Sequence, residues 1–557
     1  MNYAADGDSG HAQGRPVGAR ALGSAVWFLG MAAVVLQAAA LATQYFQPWL
    51  DSDYLYPQRF VADLLGGVYP LSGWTLSSSP YFFPDFALAA FWYLLTGGAP
   101  VIPFCVVTTY AALALAAGWS LSRTAGEWGG WIAGCVLVNV LLACRAWGDD
   151  ARWLWWLGTA TLHGGAVVMG LVLFALWAGP PERAMPRGRL ALGAALLVLG
   201  TVSDALFLTQ FALPLGAALA IAAGRDWRAS PRLRAFAAAT AASLVASLAL
   251  RAATAILHGW TLPRVVRYAP TPSAVARAAG DFLRDAAGPI ARNQGALLAL
   301  FAVGTALALW LSRRHPGPQP APERRQAVWF AALGLLFTLL LPVAAVYWRN
   351  PQHGRYLLPC LVLPLWWLFA LGGAASPRVN DRGRPGLRTA LLAAAFLLAA
   401  VSGLRSLDFG AWRWPYPETA AALDRFFESR GLRVGLADYW HAHTLQTMSR
   451  SGLRLTQVNR DGTAQFWDNN AFAHFVVGGD GRLHSPRYCF VVMDGLDPAA
   501  VQAAYGAPAE RTEVGGLTLW IYDPAAARDL SRRIDRQVRA FVAGRPGADR
   551  VAEAPAP

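Results

Sequence analysis

The chain contains no lysine, although it is strongly basic. All 47 basic residues are arginine, against 33 Asp and Glu, which gives a formal charge of +14. Without lysine, the protein cannot form a Schiff base through a lysine amine, and it cannot contain the lysine of a phosphate-binding loop. These two kinds of site are therefore excluded.

Cysteine and charged residues are also scarce. Four of the five cysteines lie in or at the ends of apolar runs, without paired spacing. This pattern indicates neither a disulfide framework nor a zinc site. Only 14% of the residues are charged, whereas soluble domains carry about 25%. Most arginines cluster in short loops between apolar runs, which indicates contact with anionic headgroups rather than with nucleic acid.

Apolar sequence is abundant, at 55% of the residues. Runs of roughly 17 to 23 apolar residues recur from about residue 21 to 404, each long enough to cross a hydrocarbon core about 30 Å thick. The first run follows Arg15 and Arg20 and ends in "AALAT". We interpret it as a retained span, because it exceeds the length of a signal-peptide core. The sequence therefore predicts an α-helical polytopic membrane domain at residues 21–404.

Four arginine-rich loops predict the orientation of these spans. The positive-inside rule places all four in the cytoplasm; they are 180–189, 224–234, 312–325 and 376–388. Counting from them places the N-terminus inside and residues 405–557 outside. The count also requires that residues 82–97, which begin near Pro84 and Asp85, form a re-entrant or interfacial helix. The prediction is about eleven spans, with an outer first loop at 44–98.

The sequence after residue 404 changes character. Short β-rich runs, "RVGLADYW", "LRLTQVN", "YCFVVMDG" and "LTLWIYD", alternate with plausible helices. They predict a small α/β domain at 405–540 on the outer, periplasmic side. Residues 1–20 and 541–557 have the composition of disordered termini. His441, His443 and His474 do not complete a zinc site, since no acid or cysteine spacing accompanies them.

The predicted outer loops share a set of polar side chains. An acid near bilayer depth costs about 2.5 to 3.5 kcal/mol, so several at helix mouths need a partner or a wet cavity. Carboxylates bind hydroxyls or divalent cations, aromatic faces stack on sugars, and arginine forms bidentate hydrogen bonds with phosphate. We therefore expect a ligand with a hydroxylated ring, a phosphate and a lipid tail. The side chains are Asp51, Asp53, Asp63, Asp85, Asp149, Asp150, Asp204, Arg349, His353 and Arg355.

Structural interpretations of the same residues remain open. Asp51 and Asp53 could cap a helix that begins near Tyr54, since Asp is a favoured N-cap. Asp149 and Asp150 could pair with nearby arginines, and Asp204 could cap the following span. His163 could hydrogen-bond a backbone carbonyl, and Arg355 could reach phospholipid phosphates at a span end.

The predicted elements follow one another in a particular order: a span, an acidic outer loop, a non-spanning apolar helix, two spans and a second outer loop of the form R-x-x-x-D-D. In this order the chain resembles the GT-C superfamily of polyprenyl-phosphate-dependent glycosyltransferases. "HGRYLLPCLVLPL" is similar to the R-Y-x-x-P opening of a late span in that superfamily, and "SDYLYP" with "GWTLSSSPYFFPDF" resembles a bacterial branch. The resemblance covers about residues 20 to 405.

The resemblance implies roles for particular residues. Asp53 matches the catalytic base or acceptor-binding acid, with Asp51 as the alternative. Asp149 and Asp150 match acids that assist acceptor or metal binding, and Arg355 matches an arginine that binds the donor phosphate. No metal ligand is predicted, and Mg²⁺ or Mn²⁺ is compatible with this chemistry but not required. With these, we expect substrate contacts from Arg145, His163, Asp85, Arg349, His353 and Tyr356.

The expected function is an inverting glycosyltransferase of the bacterial inner membrane. It would move a sugar from a polyprenyl-phosphate donor to an envelope lipid, glycan or protein on the periplasmic face, with membrane lipids and no nucleic acid as further partners. The alternatives are a transporter or flippase of a lipid-linked saccharide and a non-catalytic envelope scaffold. Transporters are often built from internal repeats, and no such repeat is apparent here.

Overall fold

A computed structural model describes residues 17–77, 79–97, 100–125, 127–146, 151–159, 162–258, 271–314, 322–372, 399–401, 405 and 416–553. Up to residue 372 the described elements are almost entirely helical, because apolar runs rich in Ala and Leu satisfy their backbone groups internally as helices. The helices are α1 (Val17–Trp49), α2 (Ser52–Gly66), α3 (Ala87–Thr96), α4 (Ile102–Ala125), α5 (Glu127–Ala143), α6 (Arg152–Gly158), α7 (Gly164–Trp177), α8 (Arg187–Ser203), α9 (Ala205–Phe207), α10 (Leu213–Ala223), α11 (Pro231–His258), α12 (Pro272–Asp285), α13 (Ala291–Asn293), α14 (Gly295–Arg314), α15 (Pro322–Ala344) and α16 (Pro359–Gly372).

The protein is a helical polytopic membrane protein. Within the described residues, seven helical segments are long and apolar enough to cross a membrane. The predicted count of eleven stays a prediction. Helix α7, for example, has 14 residues and a length of about 21 Å, less than the hydrocarbon core. Most of the predicted last span, 387–404, lies outside the described residues, as does most of the predicted disordered segment 1–20. The seven segments are Gly23–Gln44, Ile102–Thr124, Ala205–Ala223, Pro231–Leu250, Gly295–Arg313, Pro322–Ala344 and Pro351–Leu371.

The core of the membrane domain is built around close contact of α4 with α5. A Cβ added at Gly134 would lie 2.4 Å from the backbone nitrogen of Gly118, so the two backbones touch. Small residues at such crossings give the van der Waals packing that joins helices in lipid. A buried hydrogen bond of 2.6 Å from Gln37 to Asn139 then ties α1 to α5.

The segment between α1 and α4 holds two short helices. Helix α2 ends at Gly67, whose φ of 61° is the left-handed conformation that glycine adopts at helix ends. The predicted non-spanning helix at 82–97 corresponds to the short apolar helix Phe82–Thr96. It packs on α2 and α4.

The strands of the described residues are β1 (Trp74–Thr75), β2 (Val434–Asp438), β3 (Arg454–Val458), β4 (Asn469–Asn470), β5 (Val476–Val477), β6 (Leu483–His484), β7 (Phe490–Val492), β8 (Glu510–Val514) and β9 (Leu517–Ile521). The helices of the C-terminal region are α17 (Glu418–Arg430), α18 (Tyr439–Met448), α19 (Pro498–Tyr505) and α20 (Pro524–Val542).

The C-terminal region contains a five-stranded mixed sheet in the order β3-β2-β7-β9-β8. Strands β3, β2 and β7 run parallel, and β9 and β8 are antiparallel to their neighbours. Four of these strands, β2, β3, β7 and β9, coincide with the β-rich runs of the sequence.

The expectation of a disordered tail from residue 541 is wrong for its described part. Helix α20 continues to Val542, and the backbone N–H of Ala552 donates to Leu483 O at 2.9 Å. The Arg545 guanidinium donates to Ser72 O at 2.7 Å. Tertiary hydrogen bonds therefore hold residues up to 553 against the rest of the fold.

The C-terminal sheet region is joined directly to the first loop. Strand β1 pairs antiparallel with β4, with Trp74 opposite Asn470. The Ser52 hydroxyl at the start of α2 donates to the backbone oxygen of Tyr439. Helices α2 and α18 thus pack together, and this contact positions the site described next.

Candidate functional site

A cleft of about 380 Å³ lies where α2, α6, α18 and the 3-10 helix Pro351–Leu357 before α16 approach one another. It collects residues from the ends of apolar helices and from the C-terminal region. The walls combine acids, arginines and aromatic rings, which is a suitable lining for a charged, hydroxylated ligand. They are Leu50, Asp51, Asp53, Tyr54, Arg152, Trp156, Leu162, Gln352, Arg355 and Trp440.

Asp51 and Asp53 begin α2, as their sequence pattern allows. Asp51 is the N-cap, with extended backbone, and its carboxylate accepts a hydrogen bond of 3.0 Å from the Asp53 N–H. The capping interpretation therefore describes Asp51 correctly. Both carboxylates also line the cleft, so capping and ligand contact are compatible.

Asp53 is held by two groups that lie far away in the sequence. Arg355 Nη1 is 3.3 Å from Asp53 Oδ2. The Tyr439 hydroxyl donates to Asp53 Oδ1 at 2.6 Å. The Asp53 side chain is 16% exposed and that of Arg355 is 30% exposed. The pair is thus screened by protein and still open to the cleft.

The same carboxylate charge affects Asp51. Burial, reinforced by the nearby Asp53, raises the pKa of Asp51 to about 8. Burial disfavours a charged carboxylate, and a like charge adds to the effect. Asp51 therefore exchanges a proton near neutral pH, while Asp53 accepts hydrogen bonds from Arg355 and Tyr439.

Asp468 lies behind the pair and is only 5% exposed. Its Oδ2 is 3.5 Å from the Tyr439 hydroxyl, whose one proton is already directed at Asp53. Burial, reinforced by Asp53, raises the pKa of Asp468 well above its usual range. A protonated Asp468 can then donate to Tyr439, which in turn donates to Asp53.

A second buried group lies beside Arg355. His163 Nδ1 is 2.6 Å from Asp204 Oδ2, and His163 Nε2 is 3.4 Å from the Tyr81 hydroxyl. The Tyr356 ring packs on His163, with centroids 5.5 Å apart, and Arg355 lies 5.6 Å from the centre of the Tyr356 ring. His163 and Tyr81 both have positive φ, 70° and 56°. Such strained backbone clusters at functional sites.

The structure brings some predicted site residues together and not others. Asp51, Asp53 and Arg355 line the cleft, and His163 and Tyr356 lie beside it. Asp204 also caps the following helix by accepting from Leu206 N at 2.9 Å, as the structural interpretation expected.

Other predicted residues lie away from the cleft lining. Arg145 is buried and donates to Gln37 O at 2.5 Å, which ties it to α1. Asp85 is buried beside Gly165, and Arg349 is exposed. His353 stacks on Tyr356 at 5.8 Å. Asp149 and Asp150 lie outside the described residues.

Several residues at or beside the cleft were missed from the sequence. Tyr439 and Trp440 come from "ADYW", and Asp468 comes from "FWDNN". In both motifs an acid adjoins aromatic residues, a signal that resembles the first outer loop. Arg152, Trp156 and Gln352 also line the cleft.

Among the residues that the structure describes, no group of three or more His, Cys, Asp or Glu side chains is placed to hold a metal ion. No protein-family model matches the chain, and a search of curated proteins also finds no match.

Proposed function

We propose that this protein is an integral membrane glycosyltransferase that takes its sugar from a polyprenyl-phosphate donor. The observation that carries the proposal is the pairing of Asp53 with Arg355 at 3.3 Å in the wall of the 380 Å³ cleft. A carboxylate and a guanidinium side by side suit the two charges of the reaction. One takes up or orients a proton, and the other receives the phosphate.

Arg355 is the proposed phosphate ligand. Its fork of donors matches phosphate oxygens, and it would stabilise the negative charge that builds as the sugar leaves. Its side chain is 30% exposed, on the cleft side of the Asp53 pair. Because Asp53 also accepts from Tyr439, its charge remains satisfied when Arg355 turns partly toward a donor.

Asp51 and Asp53 have different proposed roles in the transfer reaction. The pKa of Asp51, raised to about 8, suits a base that accepts the acceptor proton near neutral pH. Asp53 orients Arg355 and keeps the pKa of Asp51 high. In this assignment Asp51 is the base and Asp53 is the positioning acid, and the reverse assignment remains the alternative. Attack on the face opposite the phosphate would invert the anomeric centre.

The aromatic walls suit the sugar and its lipid. Trp156, Trp440 and Tyr54 line the cleft, and aromatic faces pack on the C–H faces of sugar rings. Leu50 follows the apolar segment Gly23–Gln44, and Arg355 lies in the segment Pro351–Leu371. A ligand at this position has its head in the cleft and its tail beside membrane helices.

The orientation of the site follows from the arginine-rich loops. The end of the first span and the start of the late span fall on the outer face in the positive-inside count. The cleft takes residues from both, and Trp440 comes from the C-terminal region. We therefore assign the cleft and the C-terminal domain to the periplasmic face of a bacterial inner membrane, where polyprenyl phosphates replace nucleotide sugars as donors. The acceptor is an envelope lipid, glycan or protein.

The test compares Asp51→Asn and Asp53→Asn with wild type in lipid nanodiscs. Transfer of radiolabelled sugar from polyprenyl-phosphate donors is measured, with Asp281→Asn as a control because Asp281 lies on α12, is partly exposed and does not line the cleft. We expect both cleft variants to lose about 100-fold or more in rate and the control to retain activity. A double variant that transfers sugar at the wild-type rate would exclude a carboxylate base. Movement of intact donor lipid without a new glycosidic bond would identify a flippase instead.

A further inference from the structure

A second cavity, of about 220 Å³, lies between α2 and the C-terminal region. Its volume equals about seven liquid waters, which is room for one sugar ring. The proposed transfer chemistry does not use it. Its polar lining includes Arg59, Asp63, Tyr69, His443, Arg454 and Asn469. The Asp63 carboxylate accepts hydrogen bonds from Trp74 Nε1 at 2.9 Å and Asn470 Nδ2 at 2.8 Å.

Two guanidinium groups line this cavity, and their hydrogen bonds among the described residues go to neutral acceptors. Arg59 Nη2 donates to Asn469 Oδ1 at 3.2 Å. Arg454 Nη2 donates to the Tyr69 hydroxyl at 3.1 Å and to Ala473 O at 2.8 Å. All these acceptors are neutral. Asp63 interacts with Arg59 electrostatically, but among the described residues its side-chain hydrogen bonds come from Trp74 and Asn470 rather than from either arginine.

The electrostatic environment of Arg59 indicates an excess of positive charge at this cavity. Burial lowers the pKa of Arg59 to about 10; the Asp63 charge opposes this effect, and the nearby Arg454 adds to it. Two partly buried guanidinium groups close together repel each other unless anions balance them. Because two guanidinium groups stand against the one Asp63 carboxylate in this lining, the cavity favours a ligand with negative charge.

His443, which lines the cavity, carries an unused hydrogen-bond acceptor. His443 is 2% exposed, and its Nε2 lies 2.5 Å from Gln457 Oε1. Because the Gln457 amide nitrogen donates to Trp467 O, Oε1 is the acceptor and His443 Nε2 carries the proton. His443 Nδ1 then has a lone pair, and it has no hydrogen-bond partner among the described residues. A bare carboxylate has no proton to offer it, whereas a hydroxyl does.

We propose that this cavity binds an acidic sugar unit, that is, one hydroxylated ring with a carboxylate or phosphate group. The arginine pair binds the anion, and His443 Nδ1 accepts a hydrogen bond from a ring hydroxyl. A neutral sugar leaves the arginines unpaired, and a simple anion leaves the imidazole nitrogen unpaired. The ligand must supply both.

The cavity lies along the same helix pair as the first cleft. Asp53 and Arg59 are both on α2, six residues or about 9 Å apart along the axis. Trp440 and His443 are both on α18. A glycan that follows the two helices would place one unit in each cavity, so we assign the second cavity to an acidic unit of the acceptor. This last assignment rests on the proposed function, whereas binding of the acidic sugar does not.

The experiment measures ligand binding by the full chain in nanodiscs, from the shift of the thermal unfolding midpoint. The probes are glucuronate, glucose 6-phosphate and glucose at constant ionic strength. We expect stabilisation by at least one of the two acids and little by glucose. Arg59→Gln should weaken that binding by about tenfold or more. Arg433→Gln changes an exposed arginine of the same region and should leave binding unchanged.

A second variant tests the imidazole separately. In His443→Gln the amide nitrogen can replace the Nε2 proton toward Gln457, while the Nδ1 acceptor is lost. We expect weaker binding of the acidic sugar with a nearly unchanged midpoint in the absence of ligand. Equal stabilisation by glucose and the acids, or wild-type affinity in Arg59→Gln, overturns the proposal. Asp53→Asn should bind as wild type does, so a failure of the transfer reaction would not be mistaken for a failure of this site.

Discussion

The pH dependence of transfer is the sharpest consequence of the Asp51–Asp53 arrangement. In the free protein, burial and the Asp53 charge raise the pKa of Asp51 to about 8. If Asp51 is the base, only its ionised form is active. That form is about 1% of the protein at pH 6, about 10% at pH 7 and about half at pH 8.

The transfer rate should therefore rise about tenfold from pH 6 to pH 7, and a further fivefold to pH 8, before it levels off. Asp53→Asn removes the like charge that raises the pKa of Asp51, so the inflection of its residual activity should move to lower pH. Asp51→Asn should remove the inflection together with most of the rate.

The assay is a single-turnover measurement of sugar transfer in nanodiscs, with donor bound before acceptor is mixed in, so that product release does not limit the rate. Kd for the donor is measured at each pH to separate binding from chemistry. A wild-type inflection near pH 4 to 5, or an unchanged profile in Asp51→Asn, would refute the assignment of Asp51 as the base.

The raised pKa of Asp51 also determines how the stability of the folded protein changes with pH. The folded state holds the Asp51 proton more tightly than the unfolded state, whose pKa is near 3.8. Between about pH 4 and pH 8 the folded protein binds more protons, so its stability falls as pH rises through this window. Asp51→Asn should flatten the decline, as followed by the unfolding midpoint against pH.

Three further predictions follow from local contacts. Tyr439→Phe removes the hydroxyl that donates to the site carboxylate at 2.6 Å. It should lower the free energy of unfolding by about 1.5–3 kcal/mol, since hydrogen bonds to charged groups contribute about that much to stability, and it should slow transfer by up to about 100-fold because Asp53 is then less well oriented. Gly170→Ala should lower the midpoint by the equivalent of about 1–3 kcal/mol, because its Cβ would lie 2.1 Å from the Phe211 ring. Gly280→Ala, where a Cβ meets nothing within 4 Å, should stabilise by about 0.5–1 kcal/mol, and equal effects of the two glycine variants would contradict the packing argument. Asn139→Ala should cost about 0.6–2 kcal/mol by losing its buried hydrogen bonds to α1, measured by unfolding in detergent; an unchanged midpoint would contradict this.

The local sequence pattern predicted the main strands of the C-terminal region, but it did not predict the two-residue strands or the folded C-terminal tail. The β-rich runs each carry a strand, because alternation and apolar content act over neighbouring residues. Strands β1 and β4 have two residues each, too few for a pattern to reveal them. The tail after residue 541 carries no long apolar run, and it is folded because Ala552 bonds to Leu483.

For the candidate site, too, local sequence predicted some features, and the packing of distant segments decided others. A few consecutive residues are enough to show that Asp51 can cap a helix. The same is true of the arginine at the start of a late apolar run. The spans of the membrane domain can likewise be predicted from the length and hydropathy of the apolar runs. Arg145 and Asp85 were predicted to contact substrate because they lie near the ends of such runs, but the packing of α1, α5 and α7 buries them elsewhere.

By itself, the sequence determined that this is a helical membrane protein with arginine-rich loops and acids near the mouths of its apolar runs. Only the tertiary structure decided that Asp53 meets Arg355, 302 residues away, and Tyr439, 386 residues away. The physical reason is one of range. Helix formation and hydropathy act among near neighbours, whereas the partner of a buried charge depends on how distant segments pack and on which of them excludes water from it.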